Sequence, residues 1–168
     1  MIFLFYLNAF VLFSFLGFFW ESFVYKFLNK NKHSGVLHGP YTLVYGIGFV
    51  LILFIYKHLS LNLNFINCLI YYLLFCFCAT FCEYVIGYLI KIIFNIDSWD
   101  YSYHKYHFGK YICLEYFFLW GLFASLFIFF TYNFWLNLIN MINPLFSFIV
   151  IFIMFIDLII TYLKSRIL

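Results

Sequence analysis

Residues 15–27 read FLGFFWESFVYKF, and this stretch decides the fold. Apart from Glu21, Ser22 and Lys26 it is apolar or aromatic, and it continues an equally apolar run from residue 2. A bilayer core needs about 20 such residues in a helix, so the run is long enough to cross. Glu21 is then a carboxylate inside a membrane, and the question is what it does there.

The composition agrees. The 168 residues are 68% hydrophobic, 29% aromatic and 9% charged, whereas a soluble domain needs far more surface charge. The expected fold is an all-α, polytopic membrane helical bundle, with residues 1–168 as a single integral membrane domain. The bias to Phe, Tyr, Ile, Asn and Lys fits an AT-rich coding sequence, so the Phe count carries no functional weight. The first apolar run lacks a basic leader and a small-residue cleavage site, and it is expected to be a permanent span.

Five spans are expected, at about 2–25, 40–56, 65–90, 111–131 and 144–163. Pro40 and Pro144 suit first helical turns, where a missing N–H costs nothing. Lys26, Lys30 and Lys32 follow the first span, Lys91, Lys105 and Lys110 the third, and Lys164 and Arg166 the fifth. Lys57 stands alone on the other side. Positive charge collects on the cytoplasmic side, so the N-terminus is expected outside and the C-terminus in the cytoplasm of a bacterial cell membrane. The net charge of +3 is explained by topology and does not point to nucleic acid. Between the last two spans, Asn133, Asn137, Asn140 and Asn143 recur at helical spacing. That segment is expected to be a short interfacial helix with Trp135 as its anchor, or else a polar hairpin.

Four acids fall within the spans: Glu21, Glu83, Glu115 and Asp157. Each lies about 7–12 Å along its helix from the nearest cytoplasmic Lys. Four acids from four helices therefore share one depth, and intramembrane acids are candidate sites for ions or cationic substrates. The plain alternative is snorkelling or interhelical hydrogen bonding. Trp20, Tyr84 and Tyr116 stand beside these acids and Tyr41 and Tyr45 add to them; Tyr hydroxyls donate to carboxylates while ring faces attract cations. In so aromatic a chain such neighbours also arise by composition alone.

Two loops on the basic side add His33, His38, Asp97, Asp100, His104 and His107. Asp100, His104 and His107, with a membrane glutamate, form a weak candidate for a divalent metal; no cofactor is otherwise expected. Ordinary polar loops explain the same residues. The five Cys form no CxxC pair and read as small apolar fillers, with a soft-metal or redox role as the minor alternative. No G-x-x-x-x-G-K-[ST] and no G-x-S-x-G occur, so neither a P-loop ATPase nor a nucleophile elbow is present.

Several ordered blocks carry a resemblance. They are GFFWE (17–21), GPYTLVYGIG (39–48), EYVIG (83–87), WDYS (99–102) and GKYICLEYFFLWG (109–121). Over about residues 13–130 the chain resembles the ABC-transporter type IV family, also called the CmpB-like permeases. It departs from that pattern at Thr42-Leu43, where many members have Cys-Pro, and at Phe108, where they have Asn. The resemblance implies a small multi-pass, permease-like protein. As a transporter subunit it is expected to engage a separate ATPase, and because 168 residues offer few helices to enclose a path, a homo- or hetero-oligomer is expected. Two other readings stand beside it. One is a membrane-embedded enzyme acting on a lipid-linked substrate at the cytoplasmic leaflet. The other is an assembly or accessory protein whose acids only hold the bundle together.

Overall fold

The computed structural model describes residues 2–27 and 36–167. Lys30, Lys32 and His33 of the first loop lie outside the described residues. Five helices account for most of the chain: α1 (Ile2–Phe27), α2 (Leu43–Leu59), α3 (Phe65–Phe94), α4 (Leu114–Met141) and α5 (Pro144–Ile167). Four are long and apolar enough to cross a membrane. The exception, α2, has 17 residues, or about 25 Å of helix against a hydrocarbon core of about 30 Å. The chain is a multi-pass membrane protein.

Pro144 opens α5 as expected, but Pro40 does not open α2. Residues 36–40 form bends, Thr42 occupies the N-cap position, and the Thr42 amide donates to the Ser14 carbonyl at 2.9 Å. The segment is extended because its polar groups are satisfied elsewhere, largely by Asp157, as described below. α3 starts with Asn64 accepting from the Asn67 amide and stops at Asn95, whose left-handed backbone (φ 56°) is tolerated by Asn.

The expected interfacial helix does not exist as a separate element. Asn133, Asn137 and Asn140 lie on the last turns of α4, which continues to Met141, and Asn143 lies in the link to α5. Trp135 stacks on Phe127 at 4.5 Å and packs against Phe13, so it belongs partly to the core rather than to an interfacial belt. Only Ile142 and Asn143 separate α4 from α5.

α1 packs on α2, and α3 on α4, with α2 also meeting α3 and α5 lying chiefly against α1. Small residues permit the close approaches. A Cβ on Gly46 would meet the Ser14 hydroxyl and lie 2.7 Å from the Phe10 carbonyl, and one on Gly121 would meet the Cys76 sulfur. Phe13, Leu53, Tyr71, Phe75 and Ile128 fill the centre. A second cluster of Val11, Leu37, Tyr41, Val150 and Met154 seats α5. Asn8, buried in α1, ties the distal end: its amide donates to the carbonyls of Ile139 and Ile142, and it accepts from Ser147.

Between α3 and α4 the chain forms a built cap. Two short antiparallel strands, β1 (His107–Phe108) and β2 (Ile112–Cys113), pair across a turn in which Gly109 takes φ 62°. The loop was expected as a polar connection or a metal-binding loop, with no strands; its hairpin is too short to give a period in the sequence.

Candidate functional site: an acidic, aromatic-walled chamber

The cap is anchored at Asp97. Its carboxylate accepts from Lys91 at 3.0 Å, Lys110 at 3.3 Å and the Tyr111 hydroxyl at 2.8 Å. The Tyr111 hydrogen bond, then that from Lys91, holds the Asp97 carboxyl down at about 2, while burial and Asp97 push Tyr111 up to about 12. The Tyr101 amide donates to the Lys110 carbonyl at 2.7 Å, and the Leu114 amide to the Tyr106 carbonyl at 2.8 Å. These bonds fix the backbone that carries Tyr101 and His104.

Tyr101 reaches down to the membrane. Its hydroxyl donates to Glu83 Oε1 at 3.1 Å. Glu83 is buried in α3 at 9% exposure. Burial, followed by the Glu83 charge, raises the Tyr101 phenol far above its ordinary range. Tyr101 stacks on Tyr116 at 4.7 Å, Tyr116 on Trp120 at 6.0 Å, and Tyr45 meets Trp120 edge-on at 5.9 Å. The Trp120 indole N–H is buried and faces Glu83. Glu21 accepts from Tyr25 at 3.1 Å and lies within electrostatic reach of both Tyr45 and Glu83. Four helices and the cap thus bring together buried Glu83, half-buried Glu21 and several aromatic faces.

Glu115 sits at the rim, on the first turn of α4, with its side chain 60% exposed. It pairs with His104, which packs edge-on against Tyr116 at 5.5 Å. Cys113 completes a group with these two in which the ligand atoms all lie within 4.8 Å of one another. The proposed metal set therefore divides. His104 is in the group, but His107 bonds the Gly109 carbonyl and Asp100 caps the Ser102 amide, and neither joins His104. Cys113 was read as a filler; only the hairpin, which returns it toward His104, gives it other company.

Asp157 is elsewhere. Its Oδ2 accepts from the His38 and Gly39 amides, both at 2.9 Å, and from the Tyr41 hydroxyl at 2.7 Å. Its Oδ1 meets His38 Nδ1 at 2.9 Å and Thr161 at 3.4 Å. Lys164 Nζ lies 3.2 Å from His38 Nε2, an arrangement that suits an imidazole protonated on Nδ1. Asp157 therefore docks the segment before α2 onto α5, and Tyr41 goes with it rather than with Tyr45. Trp20 and Tyr84 face outward, 48% and 36% exposed. Trp20 touches Phe123, and Tyr84 stacks on Tyr88. The chamber instead takes Tyr25, Tyr101, Tyr116 and Trp120; the sequence set Tyr116 beside an acid, held Tyr101 and Trp120 only within blocks of the resemblance, and gave no sign of Tyr25. Tyr116 stood in plain view beside Glu115, but nothing distinguished it from Tyr84 beside Glu83.

The fold and chamber define a multi-pass helical membrane protein with a polar site set among its helices at the end bearing most of the positive charge. The family model described as "Putative ABC-transporter type IV" matches residues 8–164. The chain belongs to that family, and the match takes in α5 and Asp157, beyond the blocks that carried the resemblance. No curated protein and no solved structure matches.

Proposed function

We propose that the chain is a permease-like subunit of an ABC-type transporter, working with a separate ATPase, and that its chamber binds a cationic group entering from the cytoplasmic side. The observation that carries this reading is the pairing of buried Glu83 with Glu21 among the faces of Tyr45, Tyr101, Tyr116 and Trp120. Two ionised carboxylates within electrostatic reach repel each other, and a cation or a proton between them relieves the repulsion. Aromatic walls favour a cation further, by about 0.5–2 kcal/mol per favourable ring contact. A compact ammonium group suits both features.

The ATPase belongs to the reading because the chain has no nucleotide loop of its own. The cap and the segment before α2 are its natural docking surfaces. Calorimetric titration of the purified protein with choline tests the chamber. Saturable binding that weakens at least tenfold in Glu83→Gln supports it. No binding, or equal binding by parent and Glu83→Gln, removes the cationic substrate. Co-purification from native membranes tests the ATPase separately.

A further inference from the structure

The group at the rim has the makings of a metal site of its own. His104 comes from the cap, Cys113 from the end of β2 and Glu115 from the first turn of α4. Two stretches of chain, the cap at His104 and the β2–α4 junction, thus bring together three different donors. Their ligand atoms lie within 4.8 Å of one another, and a tetrahedral zinc site separates its ligands by about 3.5 Å, given metal bonds of about 2.0–2.3 Å. Small side-chain movements close that gap, with the Glu115 carboxylate drawing back from His104 to admit the ion.

The burial pattern points the same way. Cys113 is 1% exposed and His104 has only 16% of its side chain exposed, whereas Glu115 opens to solvent. His104 Nε2 is buried with no hydrogen-bond partner among the described residues. Its Nδ1 faces Glu115, and the ring is held among Tyr101, Tyr103 and Tyr116. Cys113 takes the N-cap position of α4, with the Tyr116 and Glu115 amides directed at its sulfur, so the thiol is fixed beside Glu115.

We infer that His104, Cys113 and Glu115 bind one zinc ion at the mouth of the chamber. A mixed sulfur, imidazole and carboxylate set suits zinc, and the thiolate disfavours magnesium and calcium. Three protein ligands leave a fourth position for water, on the solvent side where Glu115 is exposed. Glu83 lies within electrostatic reach of Cys113, so an ion held there also acts on the buried carboxylate. It pins the cap, through His104, to the first turn of α4.

The test uses full-length protein stripped of metal in detergent, dialysed against micromolar zinc chloride and assayed for bound metal. Cobalt(II) serves as the spectroscopic probe. One zinc per chain is expected, with affinity at least tenfold weaker in Cys113→Ser and in His104→Gln. Cobalt should give a thiolate charge-transfer band that Cys113→Ser abolishes. Cys113→Ser gains a capping hydroxyl, so its fold is retained, and thermal melting checks this. Cys78→Ala/Cys82→Ala should keep the ion. Absence of stoichiometric zinc, or an ion retained by Cys113→Ser and lost with Cys78 and Cys82, overturns the site. Choline titration of the same samples reads the chamber independently.

Discussion

Replacing Asp157 by Asn tests whether this acid is a latch or part of a binding site. Three donors converge on Oδ2: the His38 and Gly39 amides and the Tyr41 hydroxyl. Hydrogen bonds to a charged acceptor contribute about 1.5–3 kcal/mol, against about 0.5–1.5 for neutral pairs. An amide oxygen in the same place keeps the three bonds but loses about 1 kcal/mol from each, or about 3 kcal/mol in all. The new NH₂ then faces His38 Nδ1. His38 answers by moving its proton to Nε2, which turns an N–H toward Lys164 Nζ, 3.2 Å away. That clash adds to the loss. The free energy for releasing residues 36–42 from α5 should fall by about 3 kcal/mol, a factor of about 100 in local opening. Limited proteolysis in detergent reads it as faster cleavage in that segment, and hydrogen exchange as lost protection of the His38 and Gly39 amides. Tyr41→Phe should show a smaller effect of about 1–2 kcal/mol. Wild-type proteolysis and exchange in Asp157→Asn, combined with loss of choline binding, would refute the latch and return Asp157 to the candidate site.

Asp97 gives a pH prediction. Its carboxyl is depressed to about 2 from an unfolded value of about 3.9. A depressed acid stabilises the fold above its unfolded value, so cap protection should be full above about pH 4 and fall as the pH drops toward 2; exchange at the Tyr101 and Leu114 amides measures it, and Asp97→Asn should remove the dependence. Gly121→Val should separate α3 from α4, because even a Cβ there meets Cys76, whose Cα would lie 3.2 Å away; a melting temperature unchanged from the parent would contradict the close approach. Asn8→Leu removes the two bonds to the end of α4 and the one from Ser147. It should cost about 1–2 kcal/mol, as membrane hydrogen bonds average below 1 kcal/mol each, and detergent unfolding titrations should show this.

Depth was legible in the sequence and direction was not. Lys26, Lys91, Lys110 and Lys164 mark one interface, and counting residues from them places Glu21, Glu83, Glu115 and Asp157 at one end of the bundle. Which way each acid points depends on the helix face. In a soluble helix the alternation of polar and apolar residues gives that face. Here lipid is as apolar as the core, so Trp20 and Tyr84 read like Tyr45 and Tyr116, although the first two face outward and the others line the chamber. The end of α4 failed for the same reason. Asn133, Asn137 and Asn140 suggested a break, but a helix carries polar residues on an exposed face without ending. Asn8 was the missed signal: a lone amide in an apolar run has to find partners, and it found them on α4 and α5.

The acids differ most in how fully they are satisfied, and that difference separates scaffold from site. A carboxylate offers about four lone-pair positions. Asp157 receives donors from His38, Gly39, Tyr41 and Thr161, and so has no capacity left for a ligand. Asp97 is similarly held by Lys91, Lys110 and Tyr111. Glu83 is the most deeply placed of the chamber acids, yet it accepts from the Tyr101 hydroxyl and otherwise faces an indole N–H and aromatic rings. A buried carboxylate with capacity to spare is costly unless a cation or a proton completes it. Asp97 and Asp157 bear on the chamber only indirectly: Asp97 fixes the cap that delivers Tyr101 and His104, and Asp157 fixes the segment leading into α2 and Tyr45. A substitution at either should therefore loosen the chamber as a whole, whereas Glu83→Gln should change what the chamber holds and leave its walls in place.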